Sequence, residues 1–169
     1  ASTPSIGTSL PVPTSGRVCA VYFGLGAGYL SWNVAVVSIL KDGPDMVKGI
    51  GIDTVDIEEM RRLCSDMDGA FVRRTFTEAE CAQAALRHDM AQVLAGKFAV
   101  KEAAFKALAR LTTEGFDLRI VETLEDVSGA PHITLAGPLA SVLAEADVTE
   151  LLVSITNERD LATAIVLAQ

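Results

Sequence analysis

Between Val47 and Val55 the chain alternates with a period of two: Gly49, Gly51 and Asp53 fall on one side, Ile50 and Ile52 on the other. Only an extended strand sends neighbouring side chains to opposite faces, so this stretch predicts a strand whose acid stands beside two positions without side chains. An aspartate set in an apolar pattern carries a desolvation cost unless it is paired, bound to a cation, or placed at a solvated strand end. Further strands are expected to join it. Residues 151–156 and 161–167 are apolar runs joined by Asn157-Glu158-Arg159-Asp160, a connection of hairpin length. Phe116, Leu118 and Ile120 alternate with Asp117 and Arg119, and Gly129-Ala-Pro131 turns into a strand over 132–136.

Helical periods lie between these runs. Asp56 followed by Glu59 has the form of a capping box opening a helix to about Cys64, and Thr77 followed by Glu80 opens another. A longer helix is expected over 91–109, rich in Ala, Leu, Lys and Glu as helix propensity favours. On it Glu102 and Lys106 share a face with Ala95, Ala99 and Ala109, small neighbours that leave room for a ligand, while Leu94, Phe98, Phe105 and Leu108 have core spacing. Taken alone, Glu102 and Lys106 fit a solvated i,i+4 ion pair better than a site. The expected class is α+β, an antiparallel sheet packed on one long helix.

The 169 residues carry a formal charge of −8, which argues against a nucleic-acid partner because nothing releases counterions along a phosphate backbone. Cys19, Cys64 and Cys81 form no C-x-x-C pair and read as reduced thiols of a cytoplasmic protein, small and apolar in role. Residues 1–45 stand apart from the orderly zone at 46–169. They begin Ser/Thr/Pro-rich, and from Val18 to Leu40 there is no charged residue, a length that exceeds the roughly 18 residues flagging a membrane span. Gly24, Gly26, Gly28, Ser31, Asn33 and Ser38 make this stretch less oily than a Leu-rich span, and Arg17 is the one basic residue before it. Gly24-Leu-Gly26-Ala-Gly28 lacks the G-x-G-x-x-G spacing of a dinucleotide site. Leader, anchor and packed extension all stay open for 1–45, as does membrane contact through 18–40, and Met46 is a candidate natural start of the domain.

Three segments carry a resemblance: Gly49-Ile-Gly51-Ile-Asp53-Thr-Val-Asp-Ile57, Phe76-Thr-Glu-Ala-Glu80, and Ala95-Gly-Lys-Phe-Ala-Val-Lys-Glu102-Ala-Ala-Phe-Lys106-Ala-Leu108. In order and spacing they resemble the holo-acyl-carrier-protein synthases, small 4′-phosphopantetheinyl transferases, and the likeness continues through Gly129-Ala-Pro131 to Val153-Ser-Ile-Thr156 and Ala162-Thr-Ala164. The resemblance implies the 4′-phosphopantetheinyl transferase fold over 46–169 and transfer of 4′-phosphopantetheine from coenzyme A to a serine of an apo acyl carrier protein, releasing adenosine 3′,5′-bisphosphate. It implies that Asp53 and Glu102 hold Mg2+ on the coenzyme A pyrophosphate, and that Glu102 and Lys106 are catalytic. Lys97, Lys106, Arg110 and Pro131 are the implied coenzyme A contacts, and a homotrimer with sites between subunits is the implied assembly. Whether the carrier serves fatty-acid or polyketide synthesis is left open.

Three departures stand against the family pattern. Where the family has a Gly-Thr-Gly turn, this chain has Ala109-Arg110-Leu111, with Arg110 a candidate to pair phosphate directly. The closing strand ends Ser154-Ile-Thr156-Asn157 without the family's histidine, and neither His88 nor His132 is an evident substitute. Glu58 and Glu59 occupy a place that is often basic, leaving Arg61, Arg62, Arg73 and Arg74 as the candidate face for an acidic carrier. The altered turn and lost histidine keep a second reading in view, a non-catalytic relative that binds coenzyme A or a carrier protein.

Overall fold

The computed structural model describes residues 46–169. Strand β1 (Gly49–Asp56) leads into helices α1 (Ile57–Leu63), α2 (Ala70–Thr75) and α3 (Glu78–Ala85), then the long α4 (Met90–Leu108). A 3-10 turn at Leu118–Ile120 precedes β2 (Thr123–Glu125), β3 (Pro131–Ile133), α5 (Pro138–Glu145), β4 (Leu151–Glu158) and β5 (Leu161–Ala168). The larger sheet is antiparallel in the order β1-β5-β4, and β2-β3 form a separate antiparallel pair. The class is α+β, as expected. The uncharged segment 18–40 and the proposed boundary at residue 45 lie outside the described residues.

Each helix start has a local cause. Asp56 accepts from the Glu59 amide at 2.8 Å and caps α1. Thr77 and Glu80 complete a reciprocal capping box on α3, and Asp89 caps α4 through the Gln92 amide at 3.1 Å. Proline at the first turn of α5 follows Gly137, whose φ of 65° suits a residue without Cβ. Two expectations fail here. Residues 116–120 form no strand, because Asp117 caps a 3-10 turn by accepting from the Arg119 amide at 2.9 Å, and the strand begins at Thr123. The loop expected over 157–160 is shorter, since β4 and β5 pair up to Glu158↔Leu161 and Arg159 takes a φ of 55° in the remaining two-residue turn. Helices α2 and α5 carried no expectation at all.

The sheet meets α4 through small residues. Gly49, Gly51, Asp53 and Val55 share a face with Ala162, Ala164, Val166 and Ala168 of β5, opposite one another in the antiparallel register. Helix α4 presents Ala95, Ala99, Ala103 and Ala107, all buried. The contact is so close that a Cβ on Gly51 would lie 1.9 Å from the Ala103 carbonyl oxygen, and one on Gly49 would lie 2.0 Å from that of Ala107. The glycines therefore admit a helix backbone. They do not clear space for a ligand, and neither do Ala95 and Ala99, which are fully buried.

The opposite face of the sheet is open. Ile50 and Ile52 are 63% and 60% exposed, and Leu152 and Leu161 are also exposed. Beyond the sheet, the core divides along α4: its C-terminal half packs with Val121, Ile133, Leu139 and Leu143, its N-terminal half with Ile57, Met60, Val72 and Phe76. Gly51→Ala is expected to lower unfolding stability by about 3 kcal/mol, at the upper end for overpacking, because backbone and not a yielding side chain is in the way. Gly96→Ala, whose Cβ would meet only the Ile155 side chain, Cγ2 at 3.2 Å and Cδ1 at 3.8 Å, should stay within about 1 kcal/mol because the gain in helix propensity offsets the contact. Urea unfolding of both variants checks the contrast.

Candidate active site

The register of β1 against α4 decides which side chains meet. Gly49 lies against Ala107 and Gly51 against Ala103, so two strand residues correspond to four helix residues. Continuing that step sets Asp53 beside the turn of α4 holding Ala99 and Glu102. Lys106, one turn further along, reaches back: its Nζ donates to Asp53 Oδ1 at 2.6 Å and to the Ile52 carbonyl at 3.2 Å. The expected Glu102–Lys106 pair is thus replaced by Asp53–Lys106. With the lysine side chain half exposed, such a pair contributes at most about 1 kcal/mol and is readily exchanged for another anion. Glu102 is half-buried and has no hydrogen bond or ion pair among the described residues. Arg110 is exposed just past the end of α4, without an ion pair among the described residues, and extends the Glu102, Lys106 spacing by one more turn.

Lys97 and Pro131 lie elsewhere. Lys97 is 2% exposed; its Nζ donates to the Thr123 carbonyl at 2.6 Å and to Gln83 Oε1 at 3.1 Å, so it is neither a solvent lysine nor open to a phosphate. Pro131 begins β3 opposite Glu125 on the smaller sheet, away from the β1–α4 seam. His88 and His132 are exposed, and Asn157 is exposed near the end of β4.

Lys97 belongs to a buried polar ladder that the reading of α4 overlooked. Lys101, fully buried, pairs with fully buried Glu80 at 2.9 Å and donates to the Val121 carbonyl at 2.7 Å. Glu80 also accepts from the Thr123 amide at 2.9 Å and the Thr77 amide at 2.8 Å, which fills both oxygens. Gln83 bridges to both the amide and the carbonyl of Glu125. Burial holds the Lys97 and Lys101 amines below the ordinary lysine range; for Lys101 this outweighs the opposing pull of Glu80. A signal existed: positions 94, 97, 98, 101, 105 and 108 fall on one helical stripe, so both lysines stand in the core spacing.

The four arginines differ in availability. Arg61 is spent within the domain, donating through both terminal nitrogens to Asp89 at 3.0 and 2.9 Å and through Nε to Glu58 at 3.1 Å. That contact holds the Asp89 carboxyl below the usual carboxylate range. Arg73 donates to the Asp68 carbonyl. Arg62 and Arg74 are exposed and have no ion pair among the described residues.

Fold and seam together define an α+β domain in which Asp53 of β1 pairs with Lys106 of α4, with Glu102 one turn before that lysine on the same helix and Arg110 just past its end. Residues 49–166 match the family model of the 4′-phosphopantetheinyl transferase superfamily. The holo-[acyl-carrier-protein] synthase of Solidesulfovibrio magneticus is 36% identical over 124 residues, 73% of this chain and 99% of its own. The crystal structure of the Neisseria meningitidis holo-[acyl-carrier-protein] synthase superposes with a TM-score of 0.63 at 29% identity, covering 73% of this chain and 99% of that one. The Helicobacter pylori synthase in complex with coenzyme A gives 0.59 at 25% identity, covering 71% and 99%. The chain belongs to the 4′-phosphopantetheinyl transferase superfamily and, within it, to the holo-[acyl-carrier-protein] synthases.

Brief acetylation of the native protein should modify Lys106 at least roughly tenfold faster than Lys97 or Lys101, because buried amines react only through local opening. Peptide mass spectrometry before and after denaturation reads the difference. Equal native labelling of Lys97 and Lys106 would contradict the burial described.

Proposed function

We propose that this chain transfers 4′-phosphopantetheine from coenzyme A to a serine of an apo acyl carrier protein, releasing adenosine 3′,5′-bisphosphate. The observation that carries the reading is the Asp53–Lys106 contact across the β1–α4 seam, with Glu102 one turn before Lys106 on the same helix, in a member of this family. In the reaction the serine oxygen attacks the β-phosphorus, a new P–O bond forms, the bond to the bridging oxygen breaks, and the bisphosphate departs with that oxygen. The Glu102 carboxylate is the base for the serine proton. Lys106 moves from Asp53 to a phosphate oxygen and offsets charge there, with Arg110 on the same side of the helix as a second phosphate partner. Transfer of this kind depends on positioning and charge compensation more than on covalent participation by the protein.

The donor set fits magnesium. Asp53 and Glu102 are hard oxygen donors, the type that magnesium takes. Magnesium characteristically takes one or two carboxylates and completes its shell with substrate phosphate and water. Asp53 and Glu102 would hold it, and when bound it supplies neutralisation of the pyrophosphate.

The open sheet face supports a homotrimer in which Ile50, Ile52 and Leu152 are covered by other copies, with the site between subunits. For the carrier, Arg62 and Arg74 are the available part of the basic group and would act through electrostatic steering. The free thiols of Cys64 and Cys81 fit a cytoplasmic enzyme, and among the described residues no helix is long and apolar enough to cross a membrane. A second reading, a binding-only relative, draws on Arg110 and Asn157 at the two altered positions.

Asp53→Asn and Glu102→Gln keep shape and remove charge, so each should cut transfer at least about a hundredfold, as loss of a transition-state electrostatic partner does, with the melting temperature nearly unchanged. Mass spectrometry of apo carrier incubated with coenzyme A and a magnesium series measures this. Coenzyme A binding without transfer by the wild type would favour the binding-only relative. For the assembly, Ile52→Asp should shift the protein to a smaller species in light scattering and abolish transfer; an unchanged mass would place the interface elsewhere.

A further inference from the structure

We propose that the buried Glu80–Lys101 ion pair is a positioning device for Glu102, holding helix α4 at the rotation that aims this carboxylate at the seam. The inference rests on the reading of Glu102 as an active-site acid and adds a function for two residues outside the site.

Helix α4 is gripped from two directions. At about 100° per residue, the stripe touched by β1, Ala103 and Ala107, lies well around the helix from the stripe bearing Lys97 and Lys101. Glu102 and Lys106 point into the sector between the grips, the part of the helix that is not fully buried together with Phe98 and Phe105. On the strand side the contact is backbone against backbone and smooth, since glycine and alanine offer no protrusion to resist sliding or turning. Resistance to rotation is shared between the buried apolar side chains Leu94, Val100 and Leu108 and the directional bonds of the two lysines. Lys101 is tied to Glu80 at 2.9 Å and to the Val121 carbonyl at 2.7 Å, and Lys97 is tied to the Thr123 carbonyl at 2.6 Å.

The anchor is itself fixed. Glu80 is the capping residue of α3 and accepts from Thr123 as well, so it cannot follow Lys101 without breaking two backbone contacts. A carboxylate roughly 5 Å from a helix axis moves by roughly 2 Å for a 20° turn, and a displacement of about 1 Å at a reacting group can cost about a hundredfold in rate. Lys101 directly precedes Glu102, so release of one amine acts on the next side chain with little attenuation.

The test compares Glu80→Gln, Lys101→Met and the double variant Glu80→Gln/Lys101→Met with wild type, Glu102→Gln and Leu143→Ala, the last a core truncation on α5 that removes neither charge of the pair. Readouts are the melting temperature, binding of Mn2+ in the presence of coenzyme A followed by the EPR signal of free Mn2+, and kcat against Mg2+ concentration. Each single variant leaves a buried charge or acceptor unpaired and should melt lower, while the double variant should recover much of the loss. Positioning predicts that the double variant still binds Mn2+ about tenfold more weakly than wild type and keeps a reduced kcat, whereas Leu143→Ala, though less stable, matches wild type in both. Return of Mn2+ affinity and kcat with stability in the double variant, or an equal loss in Leu143→Ala, would overturn the proposal and leave the pair a structural element. If neither these variants nor Glu102→Gln altered Mn2+ binding, the assignment of Glu102 would fall and the positioning role with it.

Discussion

The backbone-to-backbone contact between β1 and α4 is the constraint on which the rest of this domain depends. Gly49 and Gly51 allow the Ala107 and Ala103 carbonyls to approach where any Cβ would collide. With Gly49 against Ala107 and Gly51 against Ala103, Asp53 falls where Lys106 reaches back to it. Ala162, Ala164 and Ala168 on β5 continue the same close surface. The price in conformational entropy of two strand glycines is met by packing of a helix that is buried on most sides.

A close apolar contact by itself would leave the helix free to turn, and the opposite side of α4 has a different chemistry. Two lysines, a glutamate and a glutamine replace hydrophobic teeth with directional bonds. A buried ion pair of this kind is a poor source of net stability, since desolvation consumes most of the attraction. Its value lies in geometry: every partner of Glu80 is named by an angle as well as a distance. The less buried sector left between these two surfaces carries Glu102 and Lys106, and the lysine that pairs with Asp53 is half exposed there.

Much of this was legible in the sequence, and the failures have physical reasons. Asp53 and Lys106, which the fold brings into contact, both stood out in the sequence, and the capping box of Thr77 with Glu80 and the two closing strands followed from local chemistry. What periodicity could not tell was what faced each stripe. The glycines of β1 and the alanines of α4 read as cleared space, whereas they are filled by one another, because small residues mark close packing as often as cavities. The resemblance implies Lys97 as a coenzyme A contact, although its spacing with Leu94 and Phe98 places it inside. The strand expected around Phe116–Ile120 gave way to a 3-10 turn because Asp117 bonds its own backbone, and α2 and α5 are six and eight residues long, too short for a period to show.

The order of the sheet has a consequence for how the molecule is made. Its central strand, β5, is the last of the described elements, and β1 can pair with nothing in the larger sheet until β5 exists. On a ribosome adding roughly 5–20 residues per second, the first strand waits roughly 5–20 s for a partner that emerges about a hundred residues later. During that interval Ile50 and Ile52, together with an unpaired strand edge, are available to chaperones or to other nascent chains. The helical portion can organise early, but the acid on β1 meets its lysine only after synthesis has reached the final strand, so an arrested chain would carry every residue of the seam and no seam.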